Sequence, residues 1–351
     1  MNFTNHNSIS LNFFENEGLK IKENEIIEIN EDQMLVKVMS CGICGSDIKI
    51  LKYGNSRVTS GRIMGHEISG EVVKVGTYIK GYKIGDKVSV GADIPCMECQ
   101  SCISKKSKCE NDLAYGHELD GGFSQYIILN SIHIKNGPLE KFHNIDFDVA
   151  ALAEPLACCL NGYEKVNFKN YDSVLILGGG IIGIMLSFLA TIKKIPKIYI
   201  ADISHERVKK FKNFEFFTHY FDLNNQDIYE WKEKNGNFDL IFTANNSPLS
   251  QKQAIELINS RGVVNFFGGL PKEQSYVEIN TNKIHYQESI ITGSHGSSPK
   301  QHKEAIRIIE NNSSFFQKLI SKKYSISDFE EAFEEATNPE NFKVIINPNI
   351  N

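Results

Sequence analysis

The chain has no excess of positive charge: 38 lysines and arginines stand against 43 aspartates and glutamates, a net charge of −5. Binding to nucleic acid or an anionic membrane surface needs a basic footprint, so neither is expected as a partner. The amino terminus, MNFTNHNSISLNFF, lacks the charged start, apolar stretch and small-residue cleavage site of a secretory signal, which points to the cytoplasm. There is no internal repeat, low-complexity tract or long linker. Long uncharged runs are scarce too. One extends from Ser173 to Ile192, long enough for a membrane span. Its glycine triplet, however, separates VLIL from an apolar run beginning near Ile181. A buried strand, a tight turn and a buried helix are therefore expected instead.

At about 150 residues per domain, a chain of 351 residues predicts two domains. With 41% hydrophobic and 23% charged residues it can bury a core. Up to about residue 150 the sequence reads as short strands and turns: MLVKVM near 36, EVVKVG near 73, DKVSVG near 88 and FSQYIIL near 125. From Asp172 it alternates, with VLIL, IIGIMLSFLATIKK, KIYIAD, ERVKKFKNF, FDLIFTA, SQKQAIELI and GVVNFFG in turn. Alternation of this kind predicts an α/β fold with right-handed βαβ units and a parallel sheet. The last sixty or so residues hold a helical stretch, KQHKEAIRIIENN, then FEEAFEEAT and a strand-like FKVIINP.

Cysteine is concentrated: Cys96, Cys99, Cys102 and Cys109 fall within fourteen residues. Four cysteines at one fixed spacing arise by chance with a frequency of roughly 10⁻⁴, and in a reducing compartment such a cluster reads as metal ligands. Four thiolates complete a tetrahedral zinc shell and leave no place for substrate, so this predicts a structural site. The KKSK run at 105–108 reads as a solvated loop within it.

Three further fragments are weak singly: GICGSD at 42–47, GHE at 65–67 and EPL at 154–156. Together, Cys44, His66 and an acid, Glu67 or Glu154, offer zinc a mixed ligand set with one position left for water or substrate. Gly65 can supply the bend that lets His66 and its neighbour reach one metal. Cys41, three residues before Cys44, competes as a ligand or is a buried core thiol, the reading also given to Cys158 and Cys159.

Gly178-Gly179-Gly180-Ile181-Ile182-Gly183 contains G-x-G-x-x-G, a pattern that chance supplies in roughly one such sequence in seven. Its context is more telling. It follows VLIL, opens an apolar helix and precedes a second strand ending in Asp202, nineteen residues after Gly183. Gly178, Gly180, Ile181, Ile182 and Gly183 would seat a pyrophosphate at the helix start, and Asp202 would accept from the ribose hydroxyls. An acid at 202 repels a ribose 2′-phosphate and favours NAD over NADP; Arg207 and Lys209 read as a solvated face or as partners of the adenosine end.

These constellations, in this order and over nearly the whole chain, resemble the zinc-dependent medium-chain dehydrogenase/reductase family, which includes alcohol, sorbitol and threonine dehydrogenases. The resemblance implies a GroES-like β-rich catalytic domain over 1–153 with a structural-zinc lobe at about 93–112. It implies a Rossmann NAD-binding domain over 154–292 and a C-terminal segment, 293–351, that returns to the catalytic domain. It selects Cys44 over Cys41, matches His66 and Glu67 to the family's GHE, and matches Glu154 to the EPL glutamate of polyol-type members. Two zincs per chain, NAD, a polyol substrate and a homodimer or homotetramer follow as expectations. So do a proton-relaying hydroxyl at Ser46 and a second role for Asp47 in orienting His66. The sequence departs from relatives in two places: Ile48, Lys49 and Ile50 stand where many carry a relay histidine, and GSHGSSP at 293–299 replaces an Arg-Tyr pair of animal sorbitol dehydrogenases. His295 in that segment is a candidate cleft contact.

Overall fold

The computed structural model describes residues 7–25, 28–104, 108–167 and 170–350; Lys105, Lys106 and Ser107 of the expected solvated loop lie outside them. The chain divides into two compact units, residues 1–157 with 297–351, and residues 158–296. Each division falls four residues beyond the expected boundaries at 153/154 and 292/293, and the helix Ala153–Glu164 runs through the first of them. Glu154 consequently belongs to the first unit.

The first unit is built on a sheet in the order Ile320–Ser325, Lys343–Asn347, Met34–Gly42, Glu67–Val75, Lys87–Val90 and Leu139–Lys141, with Tyr126–Leu129 also pairing the Met34–Gly42 strand. The Val- and Ile-rich segments form these strands because branched side chains suit a pleated, half-buried surface. Their inward residues, among them Met34, Val36, Val38, Ile68, Val72, Val88 and Val90, form one core with Phe123, Phe333 and Ile346. An N-terminal hairpin, Asn7–Phe14 with Gly18–Glu25, adds Leu11 and Phe13 to it.

The second unit carries a parallel six-stranded sheet. Counted along the chain within this sheet, its strands lie in the order 3-2-1-4-5-6: His219–Asp222, Lys197–Asp202, Ser173–Leu177, Phe238–Thr243, Ile258–Phe266 and Ile290–Gly293. The order reverses beside Ser173–Leu177, and that is where open α/β sheets bind ligands. The Ser173–Ile192 run resolves into this strand and the helix Ile181–Ile192. No helix among the described residues is long and apolar enough to cross a membrane.

Two histidines lie sealed in the first unit. His302 Nε2 meets Ser89 Oγ at 3.1 Å, while His302 Nδ1 and both ring nitrogens of His133 are buried without a hydrogen-bond partner. Burial pushes His302 down to about 4, and burial followed by the charge of His302 pushes His133 down to about 3. The unfolded chain takes up these protons near pH 6.5 and the folded chain does not. Stability is therefore fully present above about pH 6.5 and falls as the pH drops towards 4, by roughly 3 kcal/mol for His302 alone. Denaturant titrations between pH 7 and 4 should show this slope, and His302→Asn should flatten it. An unchanged slope in that variant would contradict the assignment.

Candidate active site

Antiparallel pairing sets three residues in one row: Ile345 opposite Gly42, and Gly42 opposite Glu67. Lys343 lies two residues from Ile345 on the same face of its strand. Its ammonium donates to Glu67 Oε1 at 2.7 Å, Glu67 Oε2 at 2.6 Å and the Ile43 carbonyl at 3.0 Å, using all three of its protons. Lys343 is 3% exposed and Glu67 1%. Burial alone would favour a neutral lysine, but the Glu67 carboxylate, with Cys44 and Glu154 adding to it, holds Lys343 above its ordinary pKa. Gly42 makes room, since a Cβ there would lie 2.0 Å from Glu67 Oε2.

Cys44 ends this strand region in an extended conformation and caps the helix Gly45–Tyr53. Asp47, in the first turn, accepts the Cys44 amide at 2.9 Å through Oδ2. Its Oδ1 faces His66 Nδ1 at 3.5 Å, and neither atom has another partner. Ser46 Oγ lies 3.3 Å from His66 Nε2. Gly65 turns the chain into His66 with φ +89°, the left-handed region that glycine enters at little cost.

Ligand atoms of Cys44, His66 and Glu67 lie within 4.8 Å of one another, with Cys44 half-buried and the other two buried. The donor set suits zinc: one thiolate, one imidazole with its second nitrogen aimed at a carboxylate, and an acid. Glu67, Cys44 and Glu154 all gather around Lys343, so further donor groups lie beside the trio. Glu154 is buried in the first turn of its helix but stands outside the convergent trio. Cys41 is wholly buried against Gly65 and Gly122, and burial pushes its thiol well up, as for a core cysteine.

Cys96, Cys99, Cys102 and Cys109 also converge within 4.8 Å. The Cys96–Cys109, Cys99–Cys109 and Cys96–Cys102 sulfur pairs are 3.5, 3.9 and 4.0 Å apart. A tetrahedron of Zn–S bonds has S···S edges of about 3.8 Å, so the four fit one ion closely. Backbone amides point at the sulfurs, and those of Glu110 and then Cys102 lead in holding the Cys99 thiol down at about 6.

In the second unit, Gly178 leaves its strand with φ +113°, and Gly180 caps the helix Ile181–Ile192 without any side-chain cap. The first-turn N–H groups are thus left for an anion. A Cβ at Gly183 would sit 1.9 Å from the Gly178 carbonyl, so only glycine allows that approach. Ile181 and Ile182 are half-buried on the same turn. Asp202 ends the neighbouring strand, where it accepts the Gly179 amide at 2.7 Å, the Ser204 amide at 2.8 Å and Arg207 Nη1 at 3.3 Å. Its carboxylate is fixed beside the glycine turn, and Arg207 is its partner. His295 follows the last strand, its carbonyl 3.3 Å from Asn161 Nδ2.

Two residues at the Cys44–His66 centre are absent from the sequence reading. Lys343 is 276 positions from Glu67, and no local motif marks it. His117 packs its ring 5.7 Å from that of His66; its signal, a histidine soon after the cysteine cluster, is too common to single out.

Lys343→Met should leave Glu67 as an uncompensated buried charge and lower stability by about 3–5 kcal/mol. Adding Glu67→Gln should restore part of the loss. Melting of the single variant at the wild-type temperature would contradict this role for the pair.

Residues 30–136 match the alcohol dehydrogenase GroES-like domain, and residues 147–347 match the glucose dehydrogenase C-terminus. Sorbitol dehydrogenase of Halalkalibacterium halodurans is 27% identical over 322 residues, 90% of this chain and 92% of that protein. D-arabitol-phosphate dehydrogenase of Enterococcus avium is also 27% identical, over 92% of each chain. Among solved structures, 2R,3R-butanediol dehydrogenase of Bacillus subtilis superposes with a TM-score of 0.86 at 25% identity, over 97% of this chain and all of that one. The chain belongs to the zinc-dependent medium-chain dehydrogenase/reductase family, the NAD(P)-dependent alcohol and polyol dehydrogenases.

Proposed function

We propose that the protein reversibly oxidises a secondary alcohol of a sugar alcohol or related polyol to the ketone, with NAD as hydride acceptor. The observation that carries this reading is the convergence of Cys44, His66 and Glu67 within 4.8 Å, in a chain that also has a glycine turn backed by Asp202. Cys44 and His66 would hold a catalytic zinc, and Cys96, Cys99, Cys102 and Cys109 a structural one. Zinc at the first site would supply a Lewis acid that lowers the pKa of the substrate hydroxyl. NAD would supply the hydride acceptor, held at Gly178, Gly180, Ile181, Ile182 and Gly183.

The chain's own residues account for the rest. Asp47 fixes the His66 ring from its Nδ1 side. Ser46 Oγ, 3.3 Å from His66 Nε2 and only half-buried, is placed to relay the substrate's hydroxyl proton to solvent water, accepting it while giving up its own, in a sequence with Ile48, Lys49 and Ile50 where relatives place a relay histidine. Lys343 commits both Glu67 oxygens, which favours Cys44 and His66 as the permanent ligands, with Glu67 and Glu154 as neighbouring charges. Lys343 and Arg57, whose charges are felt at this centre, are already paired, with Glu67 and with Glu118 and Asp112. That favours an unphosphorylated polyol over its phosphate.

Asp202 disfavours a 2′-phosphate, hence NAD rather than NADP. The exposed side chains of Tyr286, in the preceding helix, and Ile290, in the edge strand of the parallel sheet, suit a homodimer or homotetramer. The thiol-rich zinc sites suit a cytoplasmic enzyme.

The test is reduction of NAD and of NADP by the zinc-loaded protein across polyols, polyol phosphates, threonine and 2-butanol. Free polyols should lead, with NAD preferred, and Asp202→Ala should narrow the cofactor preference by about tenfold. Turnover of threonine or of phosphorylated polyols alone would overturn the substrate reading, and a wild-type preference for NADP the cofactor reading.

A further inference from the structure

We propose that His117 orients the substrate at the Cys44–His66 centre by hydrogen-bonding a second hydroxyl adjacent to the one oxidised, which makes vicinal diols better substrates than simple alcohols. This rests on the polyol reading above and names a residue for its specificity.

The first argument is placement. The segment after His117 lies flush against the segment that leads into His66: Gly121 donates to the Ile63 carbonyl at 2.8 Å, Gly122 to that of Gly65 at 2.8 Å and Phe123 to that of Met64 at 3.0 Å. A Cβ at Gly121 would sit 2.1 Å from the Gly65 carbonyl, so this approach requires glycine. Before it, a tight turn is closed by Gly116 N–H to Leu119 at 2.8 Å and His117 N–H to Ala114 at 3.2 Å. Glu118 pins the turn, accepting from the Ala114 amide at 3.0 Å and from Arg57 Nη2 at 3.0 Å. His117 is thereby held by backbone and salt-bridge contacts at a fixed distance from His66, their rings 5.7 Å apart and tilted by 53°.

The second argument is what the ring leaves free. Nδ1 faces the Tyr115 carbonyl at 3.5 Å, which assigns the ring proton to that side. Nε2 has no hydrogen-bond partner among the described residues, and the side chain is only half-buried. A half-buried, rigidly mounted acceptor beside a metal centre matches a substrate that carries hydroxyls on neighbouring carbons. A simple secondary alcohol has nothing to offer it. Ser46 Oγ is engaged with His66 and Asp47 with the Cys44 amide, so His117 supplies a polar contact of a different kind at this centre.

The test compares wild type, His117→Phe, which keeps an aromatic ring, and His117→Gln, which keeps an acceptor. Two readouts are needed: kcat and KM for a polyol and for 2-butanol, and the calorimetric Kd of the polyol for the protein loaded with zinc and NADH. In His117→Phe the polyol to 2-butanol ratio of kcat/KM should fall by about tenfold or more, mainly through the polyol KM, with the Kd weakening in parallel. His117→Gln should recover part of both. If the wild type prefers the polyol and His117→Phe keeps that ratio and Kd, or loses both alcohols equally, this inference fails and the polyol reading stands. If the wild type turns over 2-butanol and no polyol, the polyol reading fails and takes this inference with it.

Discussion

Lys343 donates to both oxygens of Glu67 in a place where neither side chain meets water, and the geometry of the Cys44–His66 centre depends on that pair. A buried carboxylate next to His66 would be costly alone, and its cost would fall on the segment that carries His66. The ammonium removes it and also fastens the Ile43 carbonyl, one residue before Cys44. One cation thus satisfies the acid, anchors the cysteine's approach and joins the last strand of the chain to the third and fourth in sequence.

The two cysteine-bearing sites differ in how they are held, and the difference matches what each can do. The four-cysteine cluster is made of near neighbours in sequence whose sulfurs lie at tetrahedral spacings, leaving nothing for a substrate to coordinate. The Cys44 centre gathers residues from two separate segments of the chain, keeps Cys44 half-buried and sets polar groups around His66: Asp47, Ser46 and His117. Local sequence suffices for the first kind of site, whereas the second needs the whole sheet.

The same contrast explains what could be read from the residues. The Cys96–Cys109 spacing, the GHE triplet and the glycine turn ahead of Asp202 are local, so their geometry follows from short-range rules of spacing and backbone freedom. The strands MLVKVM, EVVKVG and DKVSVG carry their own hydrophobic pattern and were legible for that reason. Lys343 was not, because a lysine in a strand ordinarily reads as an exposed edge residue, and only the pairing of residues 345, 42 and 67 turns it inward. His117 depends on a loop laid against the segment before His66 by backbone bonds, a contact with no periodic signature. The choice between Glu67 and Glu154 was likewise undecidable locally. Both are buried acids in matching motifs, and only the folded chain shows Glu67 beside Cys44 and His66 with its oxygens on Lys343 while Glu154 lies outside that trio.

Cys44 and His66 are proposed to form an open zinc site distinct from the closed four-cysteine one, and zinc stoichiometry in the purified protein and in Cys44→Ser, measured together with NAD-linked polyol oxidation, tests this. About two zincs per chain are expected in the wild type and about one in the variant, with turnover abolished. A variant that keeps both zincs and full activity would contradict it.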